Sequence, residues 1–181
     1  MKTKTPRNQP KQPRRAFSWL ASLSAGIGLL FVVSGTASAD DGVKTIKSDE
    51  FGFSMQVPTA AVVLGAKGKD GWGGLVGTVG PVKFAGLAKL KVKYKPIQIG
   101  LYVVEKTKIK IKDWRKVAAG TKQNGFEWYR VYSAVAKNLR YIAVYGVGSK
   151  GSYLLLATTP ESEYKKNPEA YNAWISTIRV F

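Results

Sequence analysis

The chain has 181 residues, 29 of them Lys or Arg against 11 Asp or Glu, for a net charge of +18, and it contains neither histidine nor cysteine. That composition removes Ser-His-Asp and Cys-His nucleophile systems, Cys/His zinc sites, disulfides and a lipidated cysteine in one step. What is left is a basic chain whose fold must rest on apolar packing.

The leader is basic and acid-free, with Lys2, Lys4, Arg7, Lys11, Arg14 and Arg15, and residues 16–39 carry no charge. It ends in Ala37-Ser38-Ala39 followed by Asp40-Asp41, the layout of a bacterial export signal with its cleavage site. Residues 1–39 are therefore expected to be a signal peptide, and residues 40–181 a periplasmic or extracellular protein. Arg14-Arg15-Ala16-Phe17 has the twin-arginine form, whereas Pro13, Ser18 and Trp19 depart from it, so both export routes stay open. Ala16–Gly35 is also long enough to cross a bilayer, which keeps an uncleaved signal anchor as the alternative. The leader holds six basic residues, so residues 40–181 carry 18 less 6, a net +12.

Residues 40–50 are polar and read as a flexible lead-in to a single domain over 51–181. Phe51, Phe53, Met55 and Val57 alternate with small or polar residues and stop at Pro58, which predicts a half-buried strand. Ala60–Leu64 is a short apolar run. Gly65–Gly80 holds seven glycines in sixteen residues and reads as a loop. Its Gly65-Ala66-Lys67-Gly68-Lys69 is not a phosphate loop, since that spacing needs glycine at 63 and Ser or Thr at 70, where Val63 and Asp70 stand.

Two lysine ladders follow. Lys89, Lys91, Lys93 and Lys95 alternate with Leu90, Val92 and Tyr94, and Lys106, Lys108, Lys110 and Lys112 alternate with Thr107, Ile109 and Ile111. On strands, each ladder would make one cationic face. Ile97–Val104 between them reads as a buried strand with a bulge at Gly100. Asp113 is placed to cap a short helix carrying Trp114, Val117 and Ala118 and ending at Gly120. Phe126–Ala134, Leu139–Val147 and Ser152–Thr158 are strands on short connections, the pattern of an antiparallel meander. Thr159-Pro160-Glu161 and Asn167-Pro168-Glu169 are helix starts. Tyr171, Trp174, Ile175 and Ile178 then form one apolar stripe facing a sheet, and Arg179-Val180-Phe181 closes the chain extended.

Phe51-Gly52-Phe53-Ser54-Met55-Gln56-Val57-Pro58 at one end, and Tyr153-Leu154-Leu155-Leu156-Ala157, Thr159-Pro160-Glu161 and Trp174–Phe181 at the other, resemble the Mog1/PsbP-like family. The resemblance implies an α+β fold, an antiparallel β-sheet flanked by helices, used to bind proteins or larger assemblies rather than to catalyse. It carries no functional residue over to this chain.

The ladders are the positive signal for function. Four like charges on one strand face repel each other, so the pattern marks either a solvated sheet face guarded against edge pairing or a docking surface for a polyanion. After export, nucleic acid is not the expected partner; an anionic lipid, lipopolysaccharide, a wall polymer or an envelope protein is. The chain is thus expected to be a non-enzymatic binding protein of the cell envelope, needing no cofactor or metal, with the eight ladder lysines as its site. One alternative is an accessory subunit of an envelope complex whose lysines only solubilise. The other is a glycan-acting enzyme using two carboxylates among Asp49, Glu50, Asp70, Glu105, Asp113 and Glu127. Phe126, Trp128 and Tyr132 share a parity on one strand, as Tyr141 and Tyr145 do on the next, and either form core or an aromatic face able to stack on sugars.

Overall fold

A computed structural model describes residues 42–68 and 70–181; the expected signal peptide and cleavage site lie outside the described residues. No helix among those residues is long and apolar enough to cross a membrane.

β1 (Val43–Ser48) and β2 (Phe53–Pro58) form a hairpin in register from Val43↔Pro58 to Ser48↔Phe53. The Gly52 N–H closes it by donating to the Ser48 carbonyl at 2.7 Å. Of the expected flexible lead-in, the described part, residues 42–50, is structured: backbone pairing along all of β2 makes β1, although Ile46 is its one large buried apolar side chain. β10 (Arg179–Val180) pairs with the other edge of β2, giving a three-stranded sheet in the order β1-β2-β10.

The second sheet has seven strands: β3 (Val62–Lys67), β4 (Gly73–Val79), β5 (Val82–Leu90), β6 (Arg115–Gln123), β7 (Phe126–Ala136), β8 (Leu139–Gly148) and β9 (Gly151–Pro160). They lie in the order β3-β4-β5-β9-β8-β7-β6, and each neighbouring pair is antiparallel. The β7-β8-β9 meander agrees with the sequence pattern.

Three segments differ from expectation. The glycine-rich stretch is not a loop but the β3–β4 hairpin, and the room its glycines leave is filled by rings, Phe51 over Gly73 and Phe84 over Gly77. Ile97–Val104 is not a strand but lies within helix α1 (Pro96–Thr107). An apolar run of eight fits either period; Pro96 at the first helical position and the Lys95 N–H donating to Gln98 Oε1 at 2.8 Å start the helix. Its buried residues, Ile99, Val103 and Thr107, stand four apart. Asp113 caps no helix. It ends a 3₁₀ turn, Ile111–Asp113, and the following residues become β6 by pairing with β7 from Arg115↔Ser133 to Gln123↔Phe126. Nearly every β6 side chain is exposed, so backbone pairing rather than burial makes this edge strand.

At the carboxyl end, α2 (Glu161–Lys166) and α3 (Pro168–Thr177) follow β9. Pro160 precedes α2 instead of opening it, and Thr159 does not cap it. Thr159 stays buried in β9, where its hydroxyl accepts from Tyr171 Oη at 3.0 Å. Asn167 caps α3, its side chain accepting from the Ala170 N–H at 3.1 Å. Arg140 on β8 grips Glu161 with two hydrogen bonds of 2.9 Å and lies over the Tyr164 ring, which fastens α2 to the sheet.

The result is three layers with the large sheet in the middle. One face of it packs against the small sheet and the α2–α3 arm, burying Phe53, Met55, Val57, Phe126, Val144, Tyr153, Leu155 and Ile178, with Tyr171, Trp174 and Ile175 at the margin. The other face is covered by α1, whose Ile99 and Val103 meet Leu87, Ala143, Leu154 and Leu156. A register shift between Phe126 and Trp128 is a β-bulge that breaks their shared parity. Phe126 is buried on the first face, while Trp128 and Tyr132 lie half-buried on the α1 face.

Gly125 shows why β10 ends where it does. With Asn124 at φ 54° and Gly125 at φ 82°, the β6–β7 turn is left-handed, a shape that asks for Asn-Gly. The Val180 N–H donates to the Asn124 carbonyl at 2.9 Å, and a side chain at Gly125 would collide with the Val180 backbone.

Candidate functional site

The eight ladder lysines do not share one face, because neither ladder is a strand. Lys89 ends on β5, and Lys91 turns the chain at φ 63°. Residues 92–94 then bind Ser152 in place of a neighbouring strand: the Tyr94 N–H donates to Ser152 Oγ, whose hydroxyl donates to the Val92 carbonyl, both at 2.8 Å. Lys95 precedes the first turn of α1, and Lys106 lies in its last turn. Lys108, at φ 59°, terminates the helix in the left-handed conformation. Lys110 and Lys112 belong to the 3₁₀ turn.

Three of the eight have acidic or carbonyl partners. Lys89 donates to the Asp70 carbonyl, and Lys93 pairs with Glu127, so Glu127 pairs with Lys93 rather than with a cross-strand neighbour. Lys106 lies 3.2 Å from Asp70 and 3.7 Å from Glu105, with its ammonium over the Tyr102 ring. The other five, Lys91, Lys95, Lys108, Lys110 and Lys112, are exposed and make no ion pair among the described residues. Lys91 and Lys95 stand before α1 and the other three after it. Thirteen residues of helical rise separate Lys95 from Lys108, about 20 Å, against a Debye length of about 8 Å at physiological salt. The ladders thus form two patches whose fields barely add.

Asp70, the carboxylate nearest Lys106, is held ionised. Burial would raise the Asp70 pKa, but Lys106 and the Trp72 N–H outweigh it and hold the group below its ordinary value. A general acid needs the opposite shift. Behind Asp70, the Trp72 ring stacks on Tyr102 at 4.8 Å and on Tyr94 at 6.2 Å. Burial, and then Asp70, push the Tyr102 hydroxyl pKa far up, so it stays protonated. Trp72 is buried, and this cluster works as the seam between α1 and β4.

A concave feature on this face is a groove of about 140 Å³ between α1 and the β7–β8 strands, with the 3₁₀ turn at its rim. Its walls are apolar and aromatic: Pro96, Ile97, Val104, Ile111, Trp114, Tyr132 and Tyr145 line it, with Gly100 in the helix wall. Tyr132 and Tyr145 stack in parallel at 5.6 Å, and Trp128 and Trp114 set their edges against Tyr145 and Tyr141. Burial first, and then Tyr132, push the Tyr145 pKa up to about 12 against an opposing pull from Arg130. Arg130 also lines the groove, half-buried and in no ion pair among the described residues. Sequence reasoning named the Trp128, Tyr132, Tyr141 and Tyr145 parities but did not join them to α1. The usable signal was Pro96, which marks a helix start and so brings Gly100 and Val104 onto one side of a helix.

These layers and this strand order define an α+β protein of PsbP-like fold. The solution structure of cyanobacterial PsbP (CyanoP) from Synechocystis sp. PCC 6803 matches it with a TM-score of 0.53, over 82% of this chain and 99% of that one, at 11% identity. A likeness at that identity is one of fold. No family model and no curated protein matches the chain.

Proposed function

We propose that this chain is an exported, non-enzymatic binding protein of the cell envelope that docks on an anionic partner through the cations around α1. The observation that carries the reading is the stretch Lys108–Lys116. Lys108, Lys110, Lys112, Arg115 and Lys116 are all exposed, and none makes an ion pair among the described residues. Such a stretch repels itself and attracts polyanions. The net +12 of residues 40–181 supports the same reading, and the leader supports an envelope location. The test is retention of residues 40–181 on anionic matrices, phosphatidylglycerol vesicles and polyglutamate, across a salt series. Binding is expected to fall steeply with salt and to be lost when Lys108, Lys110, Lys112 and Arg115 are all changed to glutamate. Binding unchanged by that reversal sinks the reading.

A second reading, an accessory subunit held to a larger complex by apolar contact with the lysines only solubilising, is favoured by one observation. Ile97, Leu101 and Ile111 are more than half exposed. It predicts a protein partner that stays bound at high salt.

A further inference from the structure

Gly100 is a glycine that the fold does not need. It sits inside α1 in ordinary helical conformation, where glycine costs helix stability relative to alanine. A Cβ there would meet only the Tyr145 hydroxyl, at an ordinary 3.4 Å. What its missing side chain does is leave the helix wall of the groove open. Arg130 in the same groove is the second such feature: a half-buried guanidinium that faces the Tyr145 hydroxyl but has no counter-ion among the described residues. Arginine in such a setting is the side chain suited to a carboxylate held in two hydrogen bonds.

We infer that the groove is a socket for an acidic protein segment, taking one aromatic side chain between Gly100 and the Tyr132–Tyr145 stack while a neighbouring carboxylate meets Arg130. The inference rests on the anionic-docking reading above and supplies its partner class. The size fits, since an apolar cavity of about 150 Å³ holds one benzene ring and this groove measures about 140 Å³. The charge fits as well. The basic residues in the groove or next in sequence to its lining are Lys95, Lys110, Lys112, Arg115 and Arg130, and the acids so placed are Glu105, which Lys106 already engages, and Asp113. An extended segment is favoured over a free aromatic acid because Ile97, Leu101 and Ile111 carry the apolar surface beyond the socket. Few-atom ligands in an open groove also gain little net affinity.

The probes are two blocked pentapeptides, Glu-Glu-Phe-Glu-Glu and Glu-Glu-Ala-Glu-Glu, titrated into residues 40–181 with the Trp114 indole N–H followed by NMR. The phenylalanine peptide is expected to bind about tenfold tighter and to shift the Trp114 signal. Gly100→Leu, which fills the socket with a good helix former, should erase that preference and leave the alanine peptide unchanged; Gly100→Ala should reduce it and serves if the leucine variant does not fold. Arg130→Gln should weaken both peptides about fivefold or more. Equal binding of the two peptides, or a preference that survives Gly100→Leu, overturns the socket while salt-sensitive binding of both leaves the docking reading standing. A phenylalanine preference indifferent to salt and to Arg130→Gln keeps the socket but overturns both its carboxylate partner and the docking reading. Displacement of the phenylalanine peptide by phosphatidylglycerol vesicles, with no preference over alanine, makes the face a lipid surface and overturns the socket.

Discussion

The two faces of the large sheet are built to different standards. Against the small sheet and the α2–α3 arm, side chains interlock until Phe53, Met55, Tyr153 and Leu155 have no exposure left. On the other face a single twelve-residue helix, α1, packs over β5, β8 and β9, and its Ile97 and Leu101 keep more than half of their surface in water. Hydrophobic burial dominates the first face, although a groove of about 150 Å³ lies there as well, between the β6–β7 turn and α3. On the second, apolar and cationic surface lie side by side around the groove. Stability is thus concentrated on one side of the sheet, and exposed apolar surface next to unpaired cations on the other.

The sharpest way to break this comparison is truncation on each side. Phe53→Ala, which removes a ring with no exposed surface, should cost about 3–5 kcal/mol in denaturant unfolding. Ile97→Ala and Leu101→Ala should each change stability by about 0.5 kcal/mol or less. Comparable losses from both sides would mean that the α1 face carries the fold as well. Next in size is the response to alkali. Tyr145 and Tyr102 on the α1 face have hydroxyl pKa values raised by burial, Tyr145 to about 12. In the unfolded chain each ionises near pH 10. Above pH 10 the unfolded state sheds protons that the folded state keeps, so stability falls as pH rises, and the Tyr145 share of that fall ends near pH 12. A shift from 10 to about 12 corresponds to about 3 kcal/mol. Tyr145→Phe should flatten the stability profile between those limits, and an unchanged profile would show that Tyr145 ionises freely in the fold.

The same contrast explains what could be read from sequence. The packed side was readable because burial imposes a period: Phe53-Met55-Val57 on β2, the β7-β8-β9 meander, and the Tyr171-Trp174-Ile175-Ile178 stripe all declare their inward faces. Sequence patterns mislead on either side of the sheet where partner backbone, not burial, decides the structure. β1 and β6 become strands through pairing, with few buried side chains of their own. The ladder lysines alternate as a strand would, yet Lys91 and Lys108 take left-handed conformations that end the elements on either side. The bulge beside Phe126 is likewise invisible to a parity count, because one added residue reverses the face. Of the expected site, the positive charge survives as two patches, and the groove with Arg130 and Gly100 appears only once α1 lies over β7 and β8.

A smaller effect separates the seam from the groove on the α1 face itself. The Asp70 carboxyl is held below its ordinary value, chiefly by Lys106 once burial is overcome. A lowered carboxyl stabilises the fold above about pH 4, and that contribution is lost as pH falls through the folded-state value. Asp70 keeps over a third of its side chain exposed, so screening limits the gain to about 1 kcal/mol or less. Asp70→Asn should remove that amount at pH 7 and make the acid limb shallower. An unaltered acid limb would mean that α1 is seated by the Trp72–Tyr102 stack alone.

The smallest expected change is the most discriminating. Gly100→Ala adds a methyl group at ordinary contact distance from Tyr145 and exchanges a poor helix residue for the best one, so α1 should gain about 0.5–1 kcal/mol. On the packed face no such improvement is open at Gly86, where the Phe53 ring already fills the space a Cβ would need; Gly86→Ala should destabilise. If Gly100→Ala stabilises the fold while weakening the phenylalanine peptide, this position trades helix stability for an open wall, and the groove is a binding feature. If it destabilises, α1 sits closer to Tyr145 than ordinary contact allows, and Gly100 is there for packing, as Gly86 is.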